Sequence, residues 1–377
     1  MTVQILMNEP PPTSEREARY GRLRRGMADH SLDALLLYAA GWRREYVRYV
    51  TGARLRASFA LALLPLAGDP VALVASEEDR RAVEEAGWVA DVRPLHPLRL
   101  DPPRGLRRMG VAHLELMPEA ILARVEAELP GVELTSATSL VDAVQRVKSP
   151  WELEQIRGAA RVCEAGWEAF VRALTPGVPE YAVVAAVEHE LKRLGAEDNF
   201  MLIASGGREV MGMTPPGQRR LRVGDLVRTE LTPQVNGYWC QICRTAVVGE
   251  PDAEQRRSAE LFLEALEAGL TAVRAGVTAD QVARAENDVF RRHGYGEYCT
   301  SRYTRVRGHG HGLHPDETPA IVEGDRTVLE EGSVVIVHPN TYTPLAGYHV
   351  LGDPVVVTAD GFEPLLATER KLFQVAP

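Results

Sequence analysis

At 377 residues the chain exceeds the length over which one hydrophobic core usually keeps growing, so two domains are expected. A composition that is 45% hydrophobic and 25% charged excludes a disordered or fibrous protein. The net charge of -9 is spread along the chain, with no basic stripe and no aromatic-interleaved Lys/Arg cluster, which excludes a surface built to track nucleic acid.

In chain order, Met1 to Met7 lacks the basic region, apolar run and cleavage site of an export signal. A charged helix is expected from Glu15 to His30, followed by an apolar strand from Ala34 to Tyr38. Ser58 to Leu66 and Pro70 to Ala75 read as a hairpin joined by the turn-forming Ala67-Gly68-Asp69. The most apolar stretch, Ser58 to Ala67, is too short to cross a bilayer and contains Pro65, so no membrane partner and a cytoplasmic location are expected. Residues 1–146 are thus expected to form an α/β N-terminal domain.

A second domain is expected over residues 147–377, opening at Ser149-Pro150-Trp151-Glu152. There Ser can cap free amides, Pro suits the first turn and Glu completes a capping box. This half of the sequence repeats itself. Gly177-Val178 opens a helix with Val183, Ala186, Leu191 and Arg193 that closes at Gly195, and Gly276-Val277 opens one with Val282, Ala285, Phe290 and Arg292 that closes at Gly294. Leu221 to Glu230 matches Leu329 to His338 in register, and each run is followed by a returning strand at Gly237-Tyr238 and Gly347-Tyr348. Two α+β halves related by a pseudo-twofold would bring Glu230 and His338 together around one cleft.

Four cysteines are too few for a disulfide framework. Cys240 and Cys243 have C-x-x-C spacing, but Tyr238 to Thr245 reads as a strand, where positions three apart face opposite ways at about 10 Å. A redox pair is therefore not expected.

Six fragments in order resemble the pita-bread superfamily of methionine aminopeptidase, aminopeptidase P, prolidase and creatinase. They are Lys148 to Leu153, Gly224 to Val227, Gly237-Tyr238, Arg244-Thr245, Gly308 to Leu313 and Leu329 to Gly332. The resemblance covers nearly the whole chain. It implies a creatinase-like α/β N-terminal domain, a pita-bread C-terminal domain and a homodimer.

It also implies five metal-ligand positions, which fall here on Glu230, Gln241, His309, His338 and Gly352 beside Asp353. Two neighbouring divalent ions need several carboxylates to offset their repulsion, and a neutral Gln and a Gly do not supply them. Two further histidine positions of the family fall on Met213 and Asp316. The superfamily includes metal-free members, creatinase and ectoine hydrolase-like enzymes among them.

The leading expectation is accordingly a hydrolase without metal or other cofactor, cleaving a C-N bond of amide, amidine or guanidine type in a small polar substrate. Glu230 would be base or nucleophile, His309 and His338 proton donors, with Asp316 beside them. Gln241, Met213, Cys243 and His311 would contact substrate. Two other readings stay open: an Xaa-Pro peptidase with one metal on Glu230, His309 and His338, and an inactive ligand-binding relative.

Overall fold

The computed structural model describes residues 10–57, 59–102 and 104–377, so the expectations on Met1 to Met7 and at Ser58 lie outside the described residues. The chain divides into two compact units with their boundary between Gln145 and Arg146.

The N-terminal unit is built on a six-stranded mixed sheet. Its order is Asp91–Pro94, Val71–Val74, Phe59–Pro65, Ala34–Ala40, Arg108–Ala112 and Glu133–Ser136. Ala34–Ala40 is nearly all apolar because it is a central strand, pairing antiparallel with Phe59–Pro65 and parallel with Arg108–Ala112. Leu36, Leu61, Leu63, Leu73 and Val111 make the core on one face. The expected hairpin forms with Leu63 opposite Val71 and Ala60 opposite Val74. The first helix spans Thr13–Asp29.

In the C-terminal unit the sequence repeat becomes a structural one. Helices Pro150–Ala173 and Glu180–Arg193 back the sheet Phe373–Val375, Ile242–Val248, Leu226–Val235, Asp198–Gly206. Helices Ala253–Ala272 and Ala279–Arg292 back the sheet Glu317–Ala320, Gly308–Gly310, Val334–Val337, Asp353–Val357, Phe362–Pro364. The same backbone hydrogen bonds recur in both copies. Gly177 N donates to Leu221 O at 2.8 Å and Gly276 N to Leu329 O at 2.9 Å. Gly224 N donates to Val248 O at 2.7 Å and Gly332 N to Val357 O at 2.9 Å. The capping box expected at Ser149 forms, with Ser149 N donating to Glu152 Oε2 at 2.9 Å, and Thr278 N donates to Gln281 Oε1 at 2.9 Å in the same way.

Two local expectations need correction. Tyr238 to Thr245 is not one strand: Tyr238–Trp239 and Ile242–Val248 are separated at Cys240 and Gln241. Opposite the break lies Pro233, which has no N–H for the ladder and only accepts, from Cys240 N at 3.2 Å. The strand carrying His338 ends one residue early, at Val337, because Pro339 follows. All four cysteines are free thiols.

Two buried arginines fasten one half of this unit to the other. Arg228 donates to the carbonyls of Gly206, Leu226, Ala346 and Tyr348, and Arg244 to those of Cys243, Gly352, Thr368 and Glu369. Arg244 Nη2 also meets Asp353 Oδ1 at 2.6 Å.

Candidate active site

Glu230 sits in the middle of Leu226–Val235 with Cys243 directly across the ladder, so the two side chains share a face. Asn340 Nδ2 donates to Glu230 Oε1 at 2.9 Å. Burial pushes the Glu230 carboxyl above the usual range, while the Asn340 hydrogen bond and the Arg305 charge act in the other direction.

His309 lies on Gly308–Gly310, between two glycines that the sheet requires. A Cβ at Gly308 would stand 2.0 Å from Ile336 O, and one at Gly310 2.4 Å from Thr318 O. The Nδ1 of His309 faces Gly310 O at 3.1 Å, so Nδ1 carries the proton and Nε2 presents a lone pair. The rings of His309 and His338 are 5.4 Å apart, edge to face, and those of His309 and His311 5.0 Å apart. Burial lowers the basicity of all three imidazoles and keeps them neutral. Both nitrogens of His311 and Nδ1 of His338 have no hydrogen-bond partner among the described residues.

The remaining candidates fall around this centre. Gln241 Nε2 donates to Cys243 Sγ at 3.4 Å, and Met213 packs with Tyr348 against Cys243, Ile336 and Val350. Burial and the Glu230 charge raise the Cys243 thiol well above its ordinary value, so it is held as the thiol. Asp316 is at the rim, bonded to Arg305 at 2.7 Å and 3.8 Å from His309 Nδ1. His311 is fully buried beside His309 and does not reach a surface.

Three residues escaped the sequence reading. Tyr348 lies close enough to Glu230 for its charge to raise the Tyr348 hydroxyl, after burial itself. Glu317 pairs with buried Lys148 at 2.8 Å and accepts from His314 N at 3.1 Å. Asn340 did have a signal: it stands two residues after His338, as Thr232 stands two after Glu230 in the matched run.

The donor set does not fit a metal pair. Among the described residues no group of three or more His, Cys, Asp or Glu side chains converges as a metal centre, the Glu230, His309 and His338 set included. Gly352 also has no room for a ligand: a Cβ there would lie 2.5 Å from His338 Cβ and 2.9 Å from Val337 O. Gly352→Ala should therefore destabilise the chain by about 1–3 kcal/mol, the usual cost of forcing a methyl into a packed site. A urea titration checks this, and an unchanged midpoint would show that His338 is free to move aside.

Known proteins fit this architecture. The Creatinase/Prolidase N-terminal domain matches residues 19–147, and metallopeptidase family M24 matches residues 154–359, more than half of the chain. The chain belongs to metallopeptidase family M24.

Among the relatives of this M24 chain, an Xaa-Pro dipeptidase of Pyrococcus furiosus is 33% identical over 242 residues, 64% of this chain and 68% of the relative. An Xaa-Pro dipeptidase of Pyrococcus horikoshii is 28% identical over 92% of this chain and 96% of its own. The solved prolidase structure from Pyrococcus horikoshii superposes with a TM-score of 0.82 at 26% identity, covering 94% of this chain and 99% of that one. The fold is thus an α/β N-terminal domain with an α+β pita-bread domain, and the chain is a pita-bread peptidase-like hydrolase of C-N bonds. The expectation of a metal-independent, creatinase-like hydrolase of amidine or guanidine compounds is overturned. It rested on the changed ligand positions and on the metal-free members of the superfamily, whereas the long matches are to Xaa-Pro dipeptidases. Among the described residues no helix is long and apolar enough to cross a membrane.

Proposed function

We propose that this M24 chain hydrolyses Xaa-Pro dipeptides, with Glu230 as the group that activates water. The observation that carries this is a buried carboxyl oriented by an amide donor, in a chain alignable with Xaa-Pro dipeptidases over 92% of its length. A carboxyl whose affinity for protons is raised by burial is a better base near neutral pH than an exposed one. Glu230 takes a proton from the attacking water as oxygen bonds to the scissile carbonyl carbon. When the C-N bond breaks, Glu230 returns that proton to the proline nitrogen, which leaves as a secondary amine. His309, with Nδ1 tied to Gly310, presents Nε2 to the reacting atoms. Met213, Tyr348 and Cys243 offer an apolar wall for the prolyl ring, and Gln241 a neutral amide for the peptide group.

In this reading the substrate is a free dipeptide met in the cytoplasm, where four free thiols remain reduced, and the chain works as a homodimer. The test is proline release from Ala-Pro and Gly-Pro, with Ala-Ala and creatine alongside, each assayed with and without added Mn2+, Co2+ or Zn2+. Release from the Xaa-Pro pair and neither control is expected. Turnover of creatine alone, or of nothing, would refute the reading.

A further inference from the structure

Asn340 is 2% exposed, and its hydrogen-bond partners fix the orientation of its amide. Leu351 N donates to Oδ1 at 3.0 Å, which makes that atom the acceptor and turns Nδ2 to Glu230 Oε1 at 2.9 Å. Among the described residues Asn340 is the sole hydrogen-bond donor to Glu230, which leaves Oε2 for water or substrate.

Behind Asn340 stands Arg307, 2% exposed. Its Nη1 donates to Pro339 O at 2.8 Å and to Asn340 O at 3.2 Å, and its Nε to Asn287 Oδ1 at 2.6 Å. The guanidinium lies over the Phe290 ring at 4.9 Å, and Arg307 O accepts from His338 N at 2.9 Å. A circuit closes across the two halves. Leu351 adjoins Gly352, Gly352 bridges to Cys243, and Cys243 is the cross-strand partner of Glu230.

We propose that Asn340, locked by Leu351 and backed by Arg307, is a positioning residue that presents one chosen oxygen of Glu230 to the reacting atoms. The role rests on the reading of Glu230 as the water-activating group. Asn340 touches the carboxyl and acts through it. An amide held this way can only donate to Glu230, so it fixes the carboxyl's rotamer and leaves Oε2 for the chemistry. Misplacement by about 1 Å from losing such a support is enough for a loss near 10²-fold.

The test uses the full chain with Asn340→Ala, Glu230→Gln and the double variant. In Ala-Pro hydrolysis, Asn340→Ala should lower kcat by about 10²-fold with KM nearly unchanged, and should cost nothing further once Glu230 is Gln. Losses that multiply in the double variant, or an unchanged kcat, would overturn the proposal. An activity-independent readout separates its failure from failure of the substrate assignment. The infrared difference between wild type and Glu230→Gln isolates the Glu230 carboxyl band, and in Asn340→Ala that band should move as a hydrogen bond is lost. A band that stays in place overturns the clamp whatever the substrate proves to be. If Asn340→Ala does not fold, Asn340→Leu keeps a similar volume while removing the donor without adding charge, and carries the same two readouts.

Discussion

Stability should fall steeply as the pH drops below about 6.5, the ordinary imidazole value. His309, His311, His338 and His349 are buried and held neutral. For His349, burial first and the Arg228 charge second press the value down to about 3, with the ring stacked on Phe262 at 4.7 Å. The unfolded chain takes up protons on these rings at about pH 6.5, and the folded chain does not until far lower. Stability is therefore whole above the ordinary value and lost as the pH falls toward the folded one. Each such ring contributes about 1.4 kcal/mol per pH unit across that window. Glu230 and Glu286, whose carboxyls burial raises, oppose this, but four rings outnumber two carboxyls. Against a typical total of about 5–15 kcal/mol, the direction of the net effect is a loss of stability as the pH falls below the ordinary imidazole value. Urea midpoints at several pH values check this, and His349→Phe should flatten the curve by one ring's share. Midpoints unchanged between pH 7 and pH 5 would show that water reaches these rings in solution.

Arg244→Met should be the most damaging single substitution in the C-terminal unit. The side chain is fully buried and joins Ile242–Val248 to Asp353–Val357 through Asp353 and Gly352. Its loss strands the carbonyls of Thr368 and Glu369 and leaves the buried Asp353 charge with Arg370 as its remaining cationic partner. Removing one side of a buried pair costs about 3–5 kcal/mol. The expected outcome is a folded fraction too small to purify at 37 °C, or a melting temperature many degrees lower. Gly352 and Cys243 form the bridge between the halves, so activity should fall before the fold is lost. A variant with wild-type stability would mean that Arg370 alone satisfies Asp353.

Much of this was readable from residue spacing. The glycine-opened helices and the matched runs before Glu230 and His338 repeat at one interval, and the same backbone bonds recur at both copies. The glycines flanking His309 were not read as a strand, and the structure shows why they are there: a Cβ at either would collide with a neighbouring carbonyl. What spacing alone did not carry was three-dimensional closure. The break at Cys240 and Gln241 depends on Pro233 of another strand, and the Asn340 contact with Glu230 spans 110 positions. The chemistry was misjudged for a related reason. Changed residues at ligand positions say which ions a cleft suits poorly, but they do not by themselves name a substrate, and over nearly its whole length the chain is similar to an Xaa-Pro dipeptidase.

The most direct test of Glu230 as the reacting carboxyl is the rate of proline release from Ala-Pro by wild type and by Glu230→Gln. The substitution keeps shape and removes basicity. A fall in kcat of about 10²–10⁴-fold at unchanged melting temperature is the predicted result. A variant that releases proline at the wild-type rate would contradict the assignment.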